Sequence, residues 1–230
     1  MPQATKPNKK EPVSKSTYKQ SDSMLSLWVT HREESVYFQR EAQVNFWTVL
    51  GGLAMAAMLT QLAPLLEQVR QGRWYLVLYL VASVFIIANS WVQTSWGSLV
   101  LKWPISIFTT VTTLFGMLVQ SIQCLLITYP AGWLAAAGGI IFFSLLVQVY
   151  FAKSGAWHVF PSESIKRFKL INRAYLFIML ICTAGALQLY LYPSHISEMV
   201  WGLAVFFFSL IALYMQHKGM QEEKQELGIP

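Results

Sequence analysis

The sequence predicts an all-α protein, a polytopic membrane helical bundle with six transmembrane helices. Hydrophobic residues make up 55% of the chain and charged residues only 12%, a balance that a soluble domain rarely shows. A hydrocarbon core of about 30 Å is crossed by roughly 20 apolar residues in a helix. Runs of that length without Asp, Glu, Lys, Arg or His occur at residues 46–66, 74–92, 105–129, 133–151, 174–192 and 199–215.

These runs favour helices over strands of a membrane barrel. Backbone polar groups inside lipid must be satisfied by the chain itself, which leaves helices and closed barrels as the spanning structures. Barrel strands would show alternating hydrophobicity over about ten residues, whereas these runs are continuously apolar. The connections after the first, third and fifth runs are short, so we expect antiparallel helical hairpins there.

The distribution of basic residues predicts the orientation in the membrane. Of the 17 Lys and Arg residues, all but Arg70 and Arg73 lie in the two termini or in the second and fourth connections. Positive residues accumulate on the cytoplasmic side of membrane proteins. We therefore expect both termini in the cytoplasm and a multi-pass location in the cell membrane or an inner membrane.

The regions outside the runs complete the predicted organisation. Residues 1–21 are polar and basic, which predicts a disordered cytoplasmic tail. Residues 22–45 have apolar and basic side chains at helical spacing, which predicts an amphipathic cytoplasmic or interfacial helix. The six-helix transmembrane domain then covers residues 46–215, and residues 216–230 form a cytoplasmic C-terminal tail.

Motifs of enzymes, cofactor sites and metal sites are not found. The four His residues lie outside the apolar runs and lack metal-ligand spacing with one another or with the cysteines. Basic residues between apolar segments argue against a nucleic-acid partner. We expect no enzyme, no cofactor and no metal, with Cys124 and Cys182 packed as free apolar side chains. The remaining enzymatic alternative acts on lipid headgroups through loop residues such as His158, His195 or Glu198.

A polar stripe on the third run supplies the candidate pathway. Its members recur at intervals of four, three, four and three residues, which places them on one helical face. Uncharged polar side chains can line a wet pathway, but they also join membrane helices by hydrogen bonds. The candidates are Thr109, Thr113, Gly116, Gln120 and Gln123, joined by Gln148 from the fourth run.

Two functional hypotheses follow. The first is an oligomeric channel or passive facilitator lined by the polar face of the third helix, either as a homo-oligomer or as a subunit of a membrane complex. The alternative is a non-transporting scaffold, sensor or accessory subunit whose basic cytoplasmic face binds a partner protein or anionic lipid, since each basic residue near anionic lipid contributes on the order of 1 kcal/mol. The candidates for that binding are Lys166, Arg167, Lys169 and Arg173.

Overall fold

A computed structural model describes residues 39–99, 106–153 and 162–228, without the side chains of residues 99, 162–172 and 226. The predicted basic tail and residues 22–38 of the predicted amphipathic helix lie outside these ranges. The chain divides into two units, Met1–Ala42 and Gln43–Pro230. The packing described below belongs to the second unit.

The predicted fold class is confirmed. The described residues form helices joined by short turns, with no strand among them, and six helical stretches are long and apolar enough to span a membrane. A single turn residue, Gln61, separates α1 from α2, and together they form the first of these stretches, Gln39–Arg70. The helices are α1 (residues 39–60), α2 (Leu62–Arg70), α3 (Leu76–Leu99), α4 (Ile107–Leu125), α5 (Pro130–Lys153), α6 (Ser162–Leu191) and α7 (His195–Glu226).

Most helix boundaries differ from the predicted runs by a few residues or more, and two of these differences have a clear cause. Helix α4 begins at Ile107 because Ser106 caps it: the Ser106 hydroxyl accepts from the Thr109 N–H at 3.1 Å, and the Ser106 N–H donates to the Thr109 hydroxyl at 3.0 Å. Helix α7 continues eleven residues past the predicted end of its span. Hydropathy marks where the bilayer ends, whereas a helix ends only where its backbone bonding ends.

The bundle has two distinguishable ends. The hairpin end carries the connections 71–75, 126–129 and 192–194, and the tail end is where α3, α5 and α7 finish and α4 starts. Across the tail end, the Trp96 indole N–H donates to the Glu223 carboxylate at 2.7 Å. Across the hairpin end, Arg73 pairs with Glu198 at 2.7 Å. Helices α3 and α7 therefore run parallel.

Helix packing places a dense apolar core near the hairpin end. Helix α5 packs between α4 and α6, α3 packs along α7, and α3 also touches α4 and α5. The Tyr79 and Trp133 rings meet edge to face at 5.3 Å. Fully buried Leu76, Cys124 and Ile127 belong to the same core cluster. Most other large apolar side chains point outward, as expected of surfaces that face lipid.

Helices α6 and α7 lie close together where Gly185 faces the Trp201 ring. A Cβ at this position would lie 2.8 Å from the Trp201 ring, which is held by its N–H bond to the Gln188 side-chain oxygen at 3.0 Å. We expect Gly185→Ala to lower the free energy of unfolding by roughly 1–3 kcal/mol through overpacking. Thermal unfolding in detergent measures the effect.

Gly52 provides the matched control. No described atom lies within 4 Å of a Cβ built there, so Gly52→Ala should raise stability by up to about 1 kcal/mol through helix propensity. Equal shifts in both variants would contradict the assigned packing of Trp201 against α6.

Candidate functional site

A polar cavity of about 110 Å³ lies among α1, α3, α4 and α5. It occupies the tail-end half of the bundle, because it reaches the last residues of α3 and α5 and the first residues of α4. Its described walls carry hydroxyl, amide and indole groups beside apolar side chains, and none is ionisable at neutral pH. The walls are Gln43, Trp47, Ser90, Gln93, Thr94, Ser98, Thr109, Thr113, Gly116, Met117, Gln120, Ile140, Phe143, Ser144, Val147, Gln148 and Phe151.

Most of the predicted pathway residues line this one cavity. Four members of the α4 stripe lie on its wall, and Gln148 faces them from α5. Gln123 does not line it. Its side chain lies one helical turn nearer the hairpin end, is fully buried, and has no hydrogen-bond partner for either amide atom among the described residues. The structure thus brings together Thr109, Thr113, Gly116, Gln120 and Gln148.

Three hydroxyl groups of the cavity donate to backbone carbonyls three or four residues earlier in the chain. The Thr113 hydroxyl donates to the Thr109 carbonyl at 2.7 Å, and the Ser144 hydroxyl donates to the Ile140 carbonyl at 3.0 Å. The Thr109 hydroxyl donates to the Ser106 carbonyl at 2.9 Å. Each hydroxyl oxygen keeps a lone pair that can accept a further hydrogen bond.

Three other polar groups of the cavity have no partner among the described residues. They are the Gln120 amide nitrogen, the Gln148 amide oxygen and the Trp47 indole nitrogen, on side chains that are 3%, 6% and 1% exposed. A buried polar atom left unpaired costs about 1–3 kcal/mol. A water in the liquid occupies about 30 Å³, so the cavity has room for several waters or one small polar molecule.

The hairpin-end side of the cavity is closed by packed side chains. Trp133 donates its indole N–H to the Ser83 hydroxyl at 2.9 Å, and all its polar atoms are thereby used. The Tyr79 hydroxyl donates to the Glu198 carbonyl at 2.7 Å. These side chains are fully buried and lie nearer the hairpin end than the cavity walls on α3 and α5, so the contact between these two helices is tightly packed at that depth.

A second cavity of about 140 Å³ lies on the other side of the α3–α5 contact, among α3, α5, α6 and α7. Apolar and aromatic side chains, including Trp133 and Trp201, dominate its walls. It shares part of its wall with the polar cavity, and the shared residues are Ser90, Gln93, Ile140 and Ser144.

Charged and polar side chains form a compact cluster at the hairpin end. Arg73 donates to Glu198 at 2.7 Å and to the Tyr75 hydroxyl at 3.0 Å, and it also bonds the Gln68 side chain. The Tyr75 hydroxyl donates to the same Glu198 oxygen and lies 2.7 Å from His195 Nδ1. The cluster therefore ties the α2–α3 connection to the start of α7.

This bonding network shifts the pKa of two of its members. Burial lowers the pKa of Arg73, but hydrogen bonds to Tyr75 and Glu198 and the Glu198 charge raise it more, so the net pKa is raised. Burial and the hydrogen bond to Glu198 raise the pKa of Tyr75 above 10.0. The folded chain thus holds the Tyr75 proton more tightly than the unfolded chain. Its stabilisation is complete below pH 10.0 and is lost as pH rises through the raised pKa.

From the sequence, His195 and Glu198 were only candidates in a loop, and Arg73 entered only the prediction of orientation. One signal could have indicated the cluster: Glu198, in the first turn of α7, is predicted on the same side of the membrane as Arg70 and Arg73, where few other residues are charged. His158, the third loop candidate, lies outside the described residues. Cys124 and Cys182 are free and buried.

The predicted lipid-binding residues are placed only in part. Lys166, Arg167 and Lys169 belong to α6 by their backbone, but their side chains are not among those described. Arg173 is exposed on the same helix. Binding of anionic lipid or a partner at this segment stays a prediction.

Comparison of the chain with protein-family models, with curated proteins and with solved structures finds no significant match.

The Arg73–Glu198 pair supplies a stability prediction. Glu198→Ala removes the acceptor of two hydrogen bonds and leaves the arginine, whose side chain is 22% exposed, without its ionic partner. We expect a loss of about 2 kcal/mol in the free energy of unfolding. Glu222→Ala is the control, because its pair with Lys218 is exposed and 4.0 Å long and should contribute well below about 1 kcal/mol. Similar thermal shifts in both variants would argue against the cluster as a clamp.

Gln123 supplies a prediction of the opposite sign. Its amide is fully buried with neither atom bonded among the described residues. Gln123→Met removes that polar group at nearly constant volume, so the protein should become more stable by roughly 1–3 kcal/mol. Thermal unfolding checks this, and a destabilised variant would show that the Gln123 amide has a bonding role.

Proposed function

We propose that the protein is a passive facilitator that moves a small uncharged polar solute across a membrane through the polar cavity. The observation that supports this most strongly is a cavity whose described walls carry hydroxyl and amide side chains beside apolar ones and no ionisable group. Empty cavities in proteins are ordinarily lined by apolar groups. Polar side chains gathered at one cavity, in a bundle otherwise packed with apolar side chains, suit a solute that needs hydrogen bonds.

The chemistry of the walls supports an uncharged solute and passive movement. An ion inside the bundle would lose its hydration without meeting an opposite charge, at a cost of several kcal/mol. Coupling to protons usually relies on Asp, Glu or His at membrane depth, and the described lining contains none of these residues. The solute would therefore follow its own gradient.

The closed layer beyond the cavity supports gated movement instead of a permanently open pore. Tyr79, Ser83 and Trp133 fill the bundle between the cavity and the hairpin end. In the proposed cycle, the described conformation holds the solute site towards the tail end, and passage requires Trp133 to leave its bond with Ser83. The neighbouring apolar cavity, which Trp133 also lines, leaves space for such a shift.

The proposed pathway lies inside a single chain, since helices of one chain supply the described walls. We propose that the tail end faces the cytoplasm of a cell or inner membrane, on the basis of the charge asymmetry in the sequence. The first hypothesis from the sequence includes a homo-oligomer. In such an assembly each chain would carry its own pathway.

Adjacent residues on α5 offer a matched accessibility test. Gln148 lies on the cavity wall, whereas its neighbour Val149 is exposed on the outer surface of the bundle. In a chain with Cys124→Ala and Cys182→Ala, Gln148→Cys should react with a membrane-impermeant thiol reagent added from the side of the termini. Val149→Cys, surrounded by lipid, should not react because a thiolate does not form there.

The same variants test transport in proteoliposomes. Stopped-flow light scattering follows the swelling of vesicles in gradients of small neutral solutes, with protein-free vesicles as the baseline. Labelling of Gln148→Cys should abolish the protein-dependent flux, and treatment of Val149→Cys should leave it unchanged. An unreactive Gln148→Cys together with no protein-dependent flux of any neutral solute would refute the proposal.

A further inference from the structure

The apolar cavity among α3, α5, α6 and α7 lies outside the proposed pathway for polar solutes. We propose that it is a groove that binds one acyl chain of a membrane lipid, a role independent of transport. Most of its described walls are aliphatic or aromatic, and none is Asp, Glu, Lys, Arg or His. Hydrocarbon suits such walls because it makes dispersion contacts with them and brings no polar group of its own.

The polar walls of the groove are mostly on α3. Two of them, Ser90 and Gln93, also line the polar cavity. On the other helices, the Ser144 and Ser209 hydroxyls donate to backbone carbonyls of their own helices at 3.0 and 2.8 Å. An acyl chain can therefore lie along α5, α6 and α7, where the remaining walls are apolar.

The groove is long and runs parallel to the helices. Its walls extend along α7 from Trp201 to Ala212 and along α5 from Trp133 to Ser144. At a rise of about 1.5 Å per residue, each of these stretches is about 16 Å long. One leaflet of a hydrocarbon core of about 30 Å is about 15 Å thick, so the groove has the length of an acyl chain in one leaflet.

The proposed chain enters between α6 and α7. At the hairpin end the Trp201 ring joins these two helices, because it faces Gly185 and bonds the Gln188 side chain. Beyond that contact α6 packs chiefly along α5, and α7 chiefly along α3. Along α7 the walls change from buried Val205 to exposed Phe208 and Ala212. The groove is thus most enclosed near Trp201 and opens on its tail-end side.

An acyl chain fits this space better than the other possible occupants. These helices are long and apolar enough to span a membrane, so the medium at the opening is lipid. Left empty, the walls lose dispersion contacts, and water would find few hydrogen-bond partners among them. A helix of a second copy is about 10 Å across and would lie over the groove instead of filling it. Liquid hydrocarbon is also easily displaced, which keeps the proposed shift of Trp133 possible.

Photolabelling in nanodiscs tests the proposal on the full chain. The probe is phosphatidylcholine with a diazirine in the middle of one acyl chain, and mass spectrometry maps the adducts after illumination. Cys182 and Val205 are buried walls of the groove, whereas Leu180 and Phe207 are exposed on the outer faces of the same two helices. Surrounding lipid should label the outer residues, and only a chain inside the groove should label the buried ones.

Substitutions that fill the groove should remove the buried adducts selectively. Ala204→Phe on its wall and Ala212→Phe at its exposed end should each lower the ratio of buried to outer adducts by about tenfold, since overpacking excludes the chain. Ala184→Phe is the matched control, because Ala184 is exposed on α6 and is not a wall of the groove. It should keep the wild-type ratio. A misfolded variant would expose the buried residues and raise the ratio, so misfolding cannot imitate the expected result.

Two results would overturn the acyl-chain site. The first is wild-type protein labelled on its outer surface but not on Cys182 or Val205, and if native mass spectrometry then shows a dimer, the groove belongs to a second copy instead. The second is a ratio that neither groove variant changes, because the adducts would then come from lipid outside the groove. Either result leaves the facilitator proposal in place, since that proposal rests on the other cavity.

Discussion

The need to satisfy polar groups away from water governs this structure. Inside a bilayer an unpaired donor or acceptor cannot bond to water. In this bundle most of the polar groups considered above bond to a nearby part of the chain. Thr113 and Ser144 return their hydrogens to the preceding helical turn, and Trp133 finds Ser83 on a neighbouring helix. Among the described residues that line the cavity, such a bond is missing for one side-chain atom each of Trp47, Gln120 and Gln148.

The two ends of the described bundle differ in the side chains that join their helices. At the hairpin end, Arg73 and Glu198 join α7 to the α2–α3 connection, and the Tyr79–Trp133 contact fills the space beneath. At the tail end, the helices separate enough to enclose the polar cavity. A cavity that lies towards one end of the bundle, with aromatic packing towards the other end, is compatible with gated passage and less so with an open pore.

The sequence predicted the fold and part of the site. Uncharged runs were enough to find six spans, and the 3.6-residue period was enough to align Thr109, Thr113 and Gln120 on one face of α4. The same period also placed Gln123 on that face, but the cavity ends before it because packing near the hairpin end closes the bundle there. The contributions of Trp47 and the polar residues of α3 depend on which helices become neighbours, and a single sequence with no detected relatives does not encode that in a readable pattern.

The hairpin-end cluster could not be predicted from the sequence for the same reason, since Arg73 and Glu198 are 125 residues apart.

The most direct test of the proposed facilitator is an experimental structure in a lipid environment at a resolution that shows ordered water. The facilitator proposal predicts ordered water or other non-protein density inside the cavity, beside Thr113, Gln120 and Gln148. A collapsed or dry cavity in which these side chains pair with one another would contradict it.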